Sequence, residues 1–137
     1  MALAAVGFAF KRENDVSSGV FDNIAEIRSF DGPEFERDFL ETTTMDTSGG
    51  WRTWTPSFRD GGLITLEMNF TVAAFNSMWT DFLSSTAKTY QMVMPDAGNF
   101  TIQLDGFVTG TPLKGSTDEL ITMTATIKVT GQPTLIT

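Results

Sequence analysis

Neither cysteine nor histidine occurs in the 137 residues of this chain. Without thiols there are no disulfides and no thiolate zinc sites. Without imidazole the chain lacks the side chain that most often serves as general base or metal ligand near neutral pH. Phosphate-cradling loops are also missing, since neither Gly49-Gly50 nor Gly61-Gly62 belongs to a nucleotide-binding fingerprint. Positive charge is scarce: nine Lys and Arg stand against seventeen Asp and Glu, a net charge of −8. An acidic chain is repelled by phosphate backbones, which argues against a specific grip on nucleic acid. No stretch reaches the ~18 apolar residues needed to cross a bilayer as a helix. With so little available for catalysis, the chain reads as a non-enzymatic building block, and no cofactor or metal is expected. Met1 to Phe10 has the composition of a signal-peptide core, but Lys11 and Arg12 follow it and no positive residue precedes it. It is therefore not read as an export signal. Asn69-Phe70-Thr71 and Asn99-Phe100-Thr101 are then chance glycosylation sequons.

What is present suffices for one core. Hydrophobic residues make up 41% of the chain, including 12 Phe, 7 Met and 3 Trp, so residues 1–137 are expected to form a single domain. Residues 1–19 read as an N-terminal arm, whose apolar start completes the domain's own sheet or pairs with a neighbour. Strand-like segments follow at Phe21 to Phe30 and Glu34 to Thr44, and the turn-prone Asp31-Gly32-Pro33 between them suggests a hairpin or tight connection. Residues 45–61 read as a long glycine- and aromatic-rich loop, of the kind that reaches a neighbour. In Gly62 to Phe70, Ile64, Leu66, Met68 and Phe70 alternate with polar residues, as in a half-buried strand. Phe75, Met78, Trp79, Phe82 and Leu83 recur at helical spacing between Val72 and Thr86, which predicts one amphipathic helix, capped by Thr71 or a neighbour, with that stripe facing the core. Three more strands are predicted at Thr89 to Met94, Phe100 to Thr109 and Leu120 to Thr130. In the last, Ile121, Met123, Ala125, Ile127 and Val129 alternate with a threonine-rich face. The sum is a mainly β domain, an antiparallel sandwich or barrel with one helix on its flank, and any open sheet edges invite pairing with another chain.

Thr47-Ser48-Gly49-Gly50-Trp51-Arg52, then Phe58-Arg59-Asp60-Gly61-Gly62, an alternating strand, a short helix and a final strand ending Ile127-Lys128-Val129-Thr130-Gly131-Gln132-Pro133 together resemble the tail tube proteins of long non-contractile phage tails. The resemblance extends to phage-derived particles such as gene transfer agents. It rests on the order and spacing of elements from Asn23 to Pro133 rather than on any single motif. It implies subunits that form hexameric rings, stacked into a hollow tube whose inner wall is a continuous barrel, with the long early loop touching adjacent subunits or rings. It also implies partners: further copies of the chain, tail tip, tape measure and tail terminator proteins, and DNA that passes without specific binding. The implied location is the tail of a virion or phage-like particle, assembled in the host cytoplasm, with no membrane role.

Two constellations acquire alternative meanings in that light. Eight carboxylates between Asp22 and Asp46 face only Arg28 and Arg37 there. Among them Glu34, Glu36 and Asp38 alternate opposite Phe35, Arg37 and Phe39. They are either a solvated strand face or part of a lumen wall whose negative potential keeps DNA from adhering. The spacing of an inverting glycosidase pair is also met, as it would be by any strand of alternating acids. Glu67 and the threonines Thr122, Thr124 and Thr126 are further candidates for a hydrophilic channel wall, or plain surface. Trp51, Trp54 and Phe58, interleaved with Arg52 and Arg59, either fold back on their own domain or anchor an inter-subunit contact. Two rival functions remain: a monomeric β-sandwich that binds glycans through its loop tryptophans, and the tube of a contractile injection or secretion apparatus.

Overall fold

The computed structural model describes residues 6–24, 26–46 and 48–136. Parts of three expected segments lie outside the described residues: 1–5 of the arm, Ala25 of the Phe21 to Phe30 strand, and Thr47 of the long loop. Among the described residues ten strands and one α-helix follow in the order β1 (Ala9–Glu13), β2 (Phe21–Asn23), β3 (Ile27–Asp31), β4 (Glu36–Glu41), β5 (Trp54–Asp60), β6 (Leu63–Asn69), α1 (Val72–Leu83), β7 (Lys88–Val93), β8 (Thr101–Gly110), β9 (Leu113–Lys114) and β10 (Thr122–Ile136). Eight strands make one antiparallel sheet in the order β2-β1-β7-β8-β10-β6-β3, with β9 attached to β10. Strands β4 and β5 stand apart as a two-stranded ribbon.

The main sheet is rolled up. Its outermost strands, β2 and β3, are joined by residues 24–26 alone, a link that spans at most roughly 14 Å when extended, so the two edges must lie close together. Ile24 N–H donates to the Phe10 carbonyl at 2.9 Å on one side of the seam, and Asn69 N–H donates to the Glu26 carbonyl at 3.0 Å on the other. The Phe8 and Phe30 rings stack across it with centroids 4.0 Å apart.

Strict alternation fills the interior. Met123, Ala125 and Ile127 of β10 stand opposite Met68, Leu66 and Ile64 of β6, and all six are buried. Phe10, Tyr90, Met92, Leu104, Val129 and Met78 close the same core. The expected N-terminal arm is thus partly a strand of the barrel: β1 lies between β2 and β7, with Phe10 fully buried.

Thr71 caps α1, its Oγ1 accepting from Ala74 N–H at 3.2 Å. The helix ends at Leu83, where Ser84 takes extended backbone geometry. Its rotation differs from the expected one. Ala74, Met78 and Asp81 are buried, whereas Trp79, Phe82 and Leu83 of the predicted core stripe are exposed. The cause is polar. Asp81 accepts from Arg12 Nε and Tyr90 Oη at 2.7 and 2.6 Å through Oδ2, and from Arg12 Nη2 at 2.7 Å through Oδ1. Arg12 also holds Asp15, which Lys88 approaches at 2.6 Å. Burial, with the hydrogen bond to Asp81 second, pushes the Tyr90 phenol far above its usual range, and the bond to Asp81 holds the Arg12 guanidinium charged. Turning Asp81 inward on the helix turns Trp79 and Phe82 outward, because residues on adjacent faces move together.

Candidate assembly surfaces

Of the hairpin or tight connection expected around Asp31-Gly32-Pro33, the hairpin does not form: β3 pairs with β6 and β4 with β5, and a short link, residues 32–35, joins β3 to β4. Residues 54–60 of the expected loop are the strand β5, so the connecting segment is shorter and the unit is a hairpin arm. Beyond the strands, Thr42 N–H donates to the Thr53 carbonyl at 2.8 Å and the two threonine hydroxyls meet at 2.9 Å, extending the closure toward the tip. Gly49 and Gly50, both with positive φ, lie in a short 3-10 turn at that tip.

At its base the arm is held by close approach. Gly61 abuts the Val129 side chain, leaving no room for a Cβ, and Gly62 adopts a φ of +72° with its backbone against the Glu34 carbonyl. Asp60 accepts from Gly62 N–H at 2.9 Å and faces Lys128 Nζ at 3.5 Å. The Gly62 hydrogen bond, then Lys128, hold its carboxyl below the usual range. A cleft of about 580 Å³ opens between this base and β10, lined by Phe35, Arg37, Phe58, Arg59, Gly131 and Pro133 among others.

The arm itself has no buried face. Every residue of β4 is exposed, as are Trp51 (77%), Trp54 (53%) and Phe58 (84%). Arg52 and Arg59 are exposed beside them. The expected inter-subunit residues therefore sit together along the arm and its tip, and none folds back into the barrel core. Because cross-strand partners share a face, the register divides the ribbon into one face that holds both arginines and another that holds three acids. Arg37 opposite Arg59, Phe39 opposite Pro56 and Glu41 opposite Trp54 form one face. Glu36 opposite Asp60, with Asp38 and Leu40 in alternation, forms the other. A bulge sets two β5 residues, Ser57 and Phe58, against Asp38.

The channel-wall candidates fall into two groups. Glu36 and Asp38 share the acidic face of the arm, while Glu34 precedes β4 and lies at the base. Glu67, Thr122, Thr124 and Thr126 lie together on the barrel's outer surface: Thr124 pairs with Glu67, Thr126 with Thr65, and each alternates with a core residue. Arg28 approaches Glu67 at 3.8 Å there. Sequence reasoning did not find the exposed aromatic side of α1 or the basic face of the arm. The position of Asp81, three residues after Met78 and seven after Ala74, was the available clue to the first. Among the described residues, no group of three or more metal-ligating side chains occurs, and no helix is long and apolar enough to cross a membrane.

No protein-family model matches the chain, and no curated protein sequence does. Solved structures do match, and they define the class of fold: this is the fold of tail-tube subunits. A chain from the tail of an empty gene transfer agent particle, refined with C6 symmetry, superposes with a TM-score of 0.82 at 20% identity, covering 99% of this chain and 100% of that one. A chain of the anti-feeding prophage baseplate gives 0.73 at 11% identity, over 99% and 97%. The SPP1 tail tube gives 0.65 at 7% identity, over 93% and 75%. The predicted fold class, antiparallel β with a flanking helix, agrees with all three.

Proposed function

We propose that this chain is the structural subunit of a phage-type tail tube, forming hexameric rings that stack into a hollow conduit for DNA, and that it is not an enzyme. One observation carries the reading. A rolled sheet that superposes over nearly its full length on a gene transfer agent tail chain also bears a hairpin arm, held at its base, with no buried face of its own. Exposing large aromatics along such an arm is unfavourable in an isolated subunit and becomes favourable when a neighbour covers them. The arm, with Trp51, Arg52, Trp54, Phe58 and Arg59, supplies the contact between subunits or rings. The acidic face of Glu36 and Asp38, or the Glu67 and threonine face of the barrel, lines the lumen, where DNA passes without being held. Tail tip, tape measure and terminator proteins are the partners this role calls for, and the particle tail is its location.

A chain of the sheath-tube complex of an extracellular contractile injection system also shares the fold, with a TM-score of 0.67 at 11% identity, which favours a tube of that kind as the second reading. In that case a sheath would surround the tube. Negative-stain electron microscopy across a concentration series, with light-scattering mass, tests the main reading. Rings or tubes with a central hole are expected, and a monomer at every concentration, with or without a tail-tip nucleator, would refute it.

A further inference from the structure

A continuous row of rings runs from the barrel outward along one side of α1, with Phe70 and Phe75 packed against the core and Trp79 and Phe82 exposed. Phe70 lies 5.9 Å from Phe75, Phe75 lies 6.3 Å from Trp79, and Trp79 lies 5.7 Å from Phe82, centroid to centroid. Trp79 and Phe82 are 46% and 44% exposed, and Leu83 beside them is more so. The only charged residue in the helix is Asp81, and it is buried. The outer end of the row, Trp79 and Phe82 with Leu83, is thus an exposed, uncharged strip in a chain of net charge −8. An amphipathic helix that binds a membrane surface would carry lysines or arginines along its polar margin, and this one has none.

We propose that this strip is the receptor for the basic face of the β4–β5 arm of a second copy of the chain. The arm offers what the strip lacks. Arg37 and Arg59 stand directly opposite one another, an arrangement of like charges that repels in a lone hairpin. Among the described residues neither has a carboxylate within ion-pair distance, although the chain has seventeen acids to nine bases. Phe39 and Trp54, on the same face, add apolar area, and the one acid there, Glu41, lies at the end away from the arginines, opposite Trp54. A guanidinium over the face of a tryptophan or phenylalanine is attracted by the ring quadrupole without needing a carboxylate. The paired arginines and the ring row therefore satisfy each other.

Within one subunit the arm's base packs on β10 while α1 packs on β8, so each surface is left for another copy. Because the two surfaces differ, their union is head-to-tail and propagates through an assembly rather than closing a dimer. Docking this face also leaves the opposite, acidic face of Glu36, Asp38 and Asp60 uncovered. The inference rests on the tube reading and names the partner surface of its arm.

The absence of cysteine makes a clean test possible. One population carries Phe82→Cys and another Phe39→Cys, both at exposed positions. They are assembled together and oxidised, with Thr124→Cys plus Phe39→Cys as the control pair. A disulfide dimer on a non-reducing gel is expected from the first pair only, and only in assembled material. Tubes of normal appearance without that dimer would overturn the inference and leave the tube reading intact. A wild-type chain that never assembles would overturn both. A second measurement avoids cysteine chemistry. Arg37→Gln with Arg59→Gln, and Trp79→Leu, should each raise the critical concentration for assembly by roughly 2- to 30-fold, and the combination should exceed either by little. Full multiplication of the two effects would place the arginines and Trp79 in separate contacts and refute the pairing.

Discussion

Arg12 grips Asp81 with two hydrogen bonds of 2.7 Å, one from Nε and one from Nη2, and joins β1 to α1. Both side chains are buried, with Asp81 at 5% exposure. Removing one partner strands the other as an uncompensated buried charge, which typically costs about 3–5 kcal/mol. Arg12→Leu and Asp81→Ala should therefore lower the urea midpoint severely. Tyr90→Phe, which leaves Asp81 its arginine, should cost only about 1 kcal/mol. Equal losses from the three variants would show that the cluster does not work as an arginine–carboxylate pair with an auxiliary phenol.

This pair also explains how far the fold could be read from sequence. Strand β6 and the Met123 to Val129 part of β10 were legible because each has one dry face and one wet face, and burial imposes a period of two. Ile121, expected on the dry face, is exposed ahead of β10, and the strand runs on to Ile136, past the point where that alternation ends. The presence of α1 was legible for the same reason at helical period. Its rotation was not, since an aspartate on the buried face looks like surface until Arg12 and Tyr90 are placed against it. The β4–β5 arm was half legible. With no face packed on the core, Trp54 to Asp60 shows no alternation, and Pro56 marks it as a loop, although an edge strand tolerates proline where no ladder donor is needed. Its aromatics and arginines were visible as a group, but the charge division between its faces depends on a register that local sequence does not encode. Residue 24–26 closure of the barrel was invisible because it joins two strands that never pair with each other.

Stability should be flat between about pH 5.5 and 8.5, because no histidine is present to titrate there. On the acid side, Asp15 is held below its ordinary 3.8, first by the Lys88 hydrogen bond and also by Arg12. A carboxyl with a depressed folded value contributes stability that is present above its unfolded pKa and lost as pH falls through the folded one. The decline should therefore begin below about pH 4. On the alkaline side, the Tyr90 phenol is raised by burial and by Asp81. Its contribution is complete below the unfolded value of 10.0 and falls away above it. Thermal unfolding scanned across pH would test this, and a transition centred near pH 6.5 would contradict it.

Trp51 and Trp54 contribute nothing to the barrel core, so Trp51→Ala and Trp54→Ala should leave the unfolding midpoint within about 0.5 kcal/mol of the parent. Tube length and yield in electron micrographs should nevertheless fall, since tryptophan anchors dominate the energetics of interfaces. Tubes of unchanged length and yield would remove these residues from the stacking contact. A large loss of fold stability would instead mean that the arm supports its own barrel.

Charge reversal separates the two candidate lumen faces. Glu36 and Asp38 share one side of the arm with Asp60, while Glu67 lies among the threonines of the barrel wall and is approached by Arg28. In a lumen, lysines at these positions repeat around every ring and face the phosphate backbone directly, so binding should accumulate over many contacts and weaken steeply with salt. Glu36→Lys with Asp38→Lys is expected to leave tubes intact while making them retain DNA at low ionic strength, with release as salt is raised. If those tubes pass DNA normally and Glu67→Lys tubes hold it, the wall is the barrel face and the acidic side of the arm lies elsewhere.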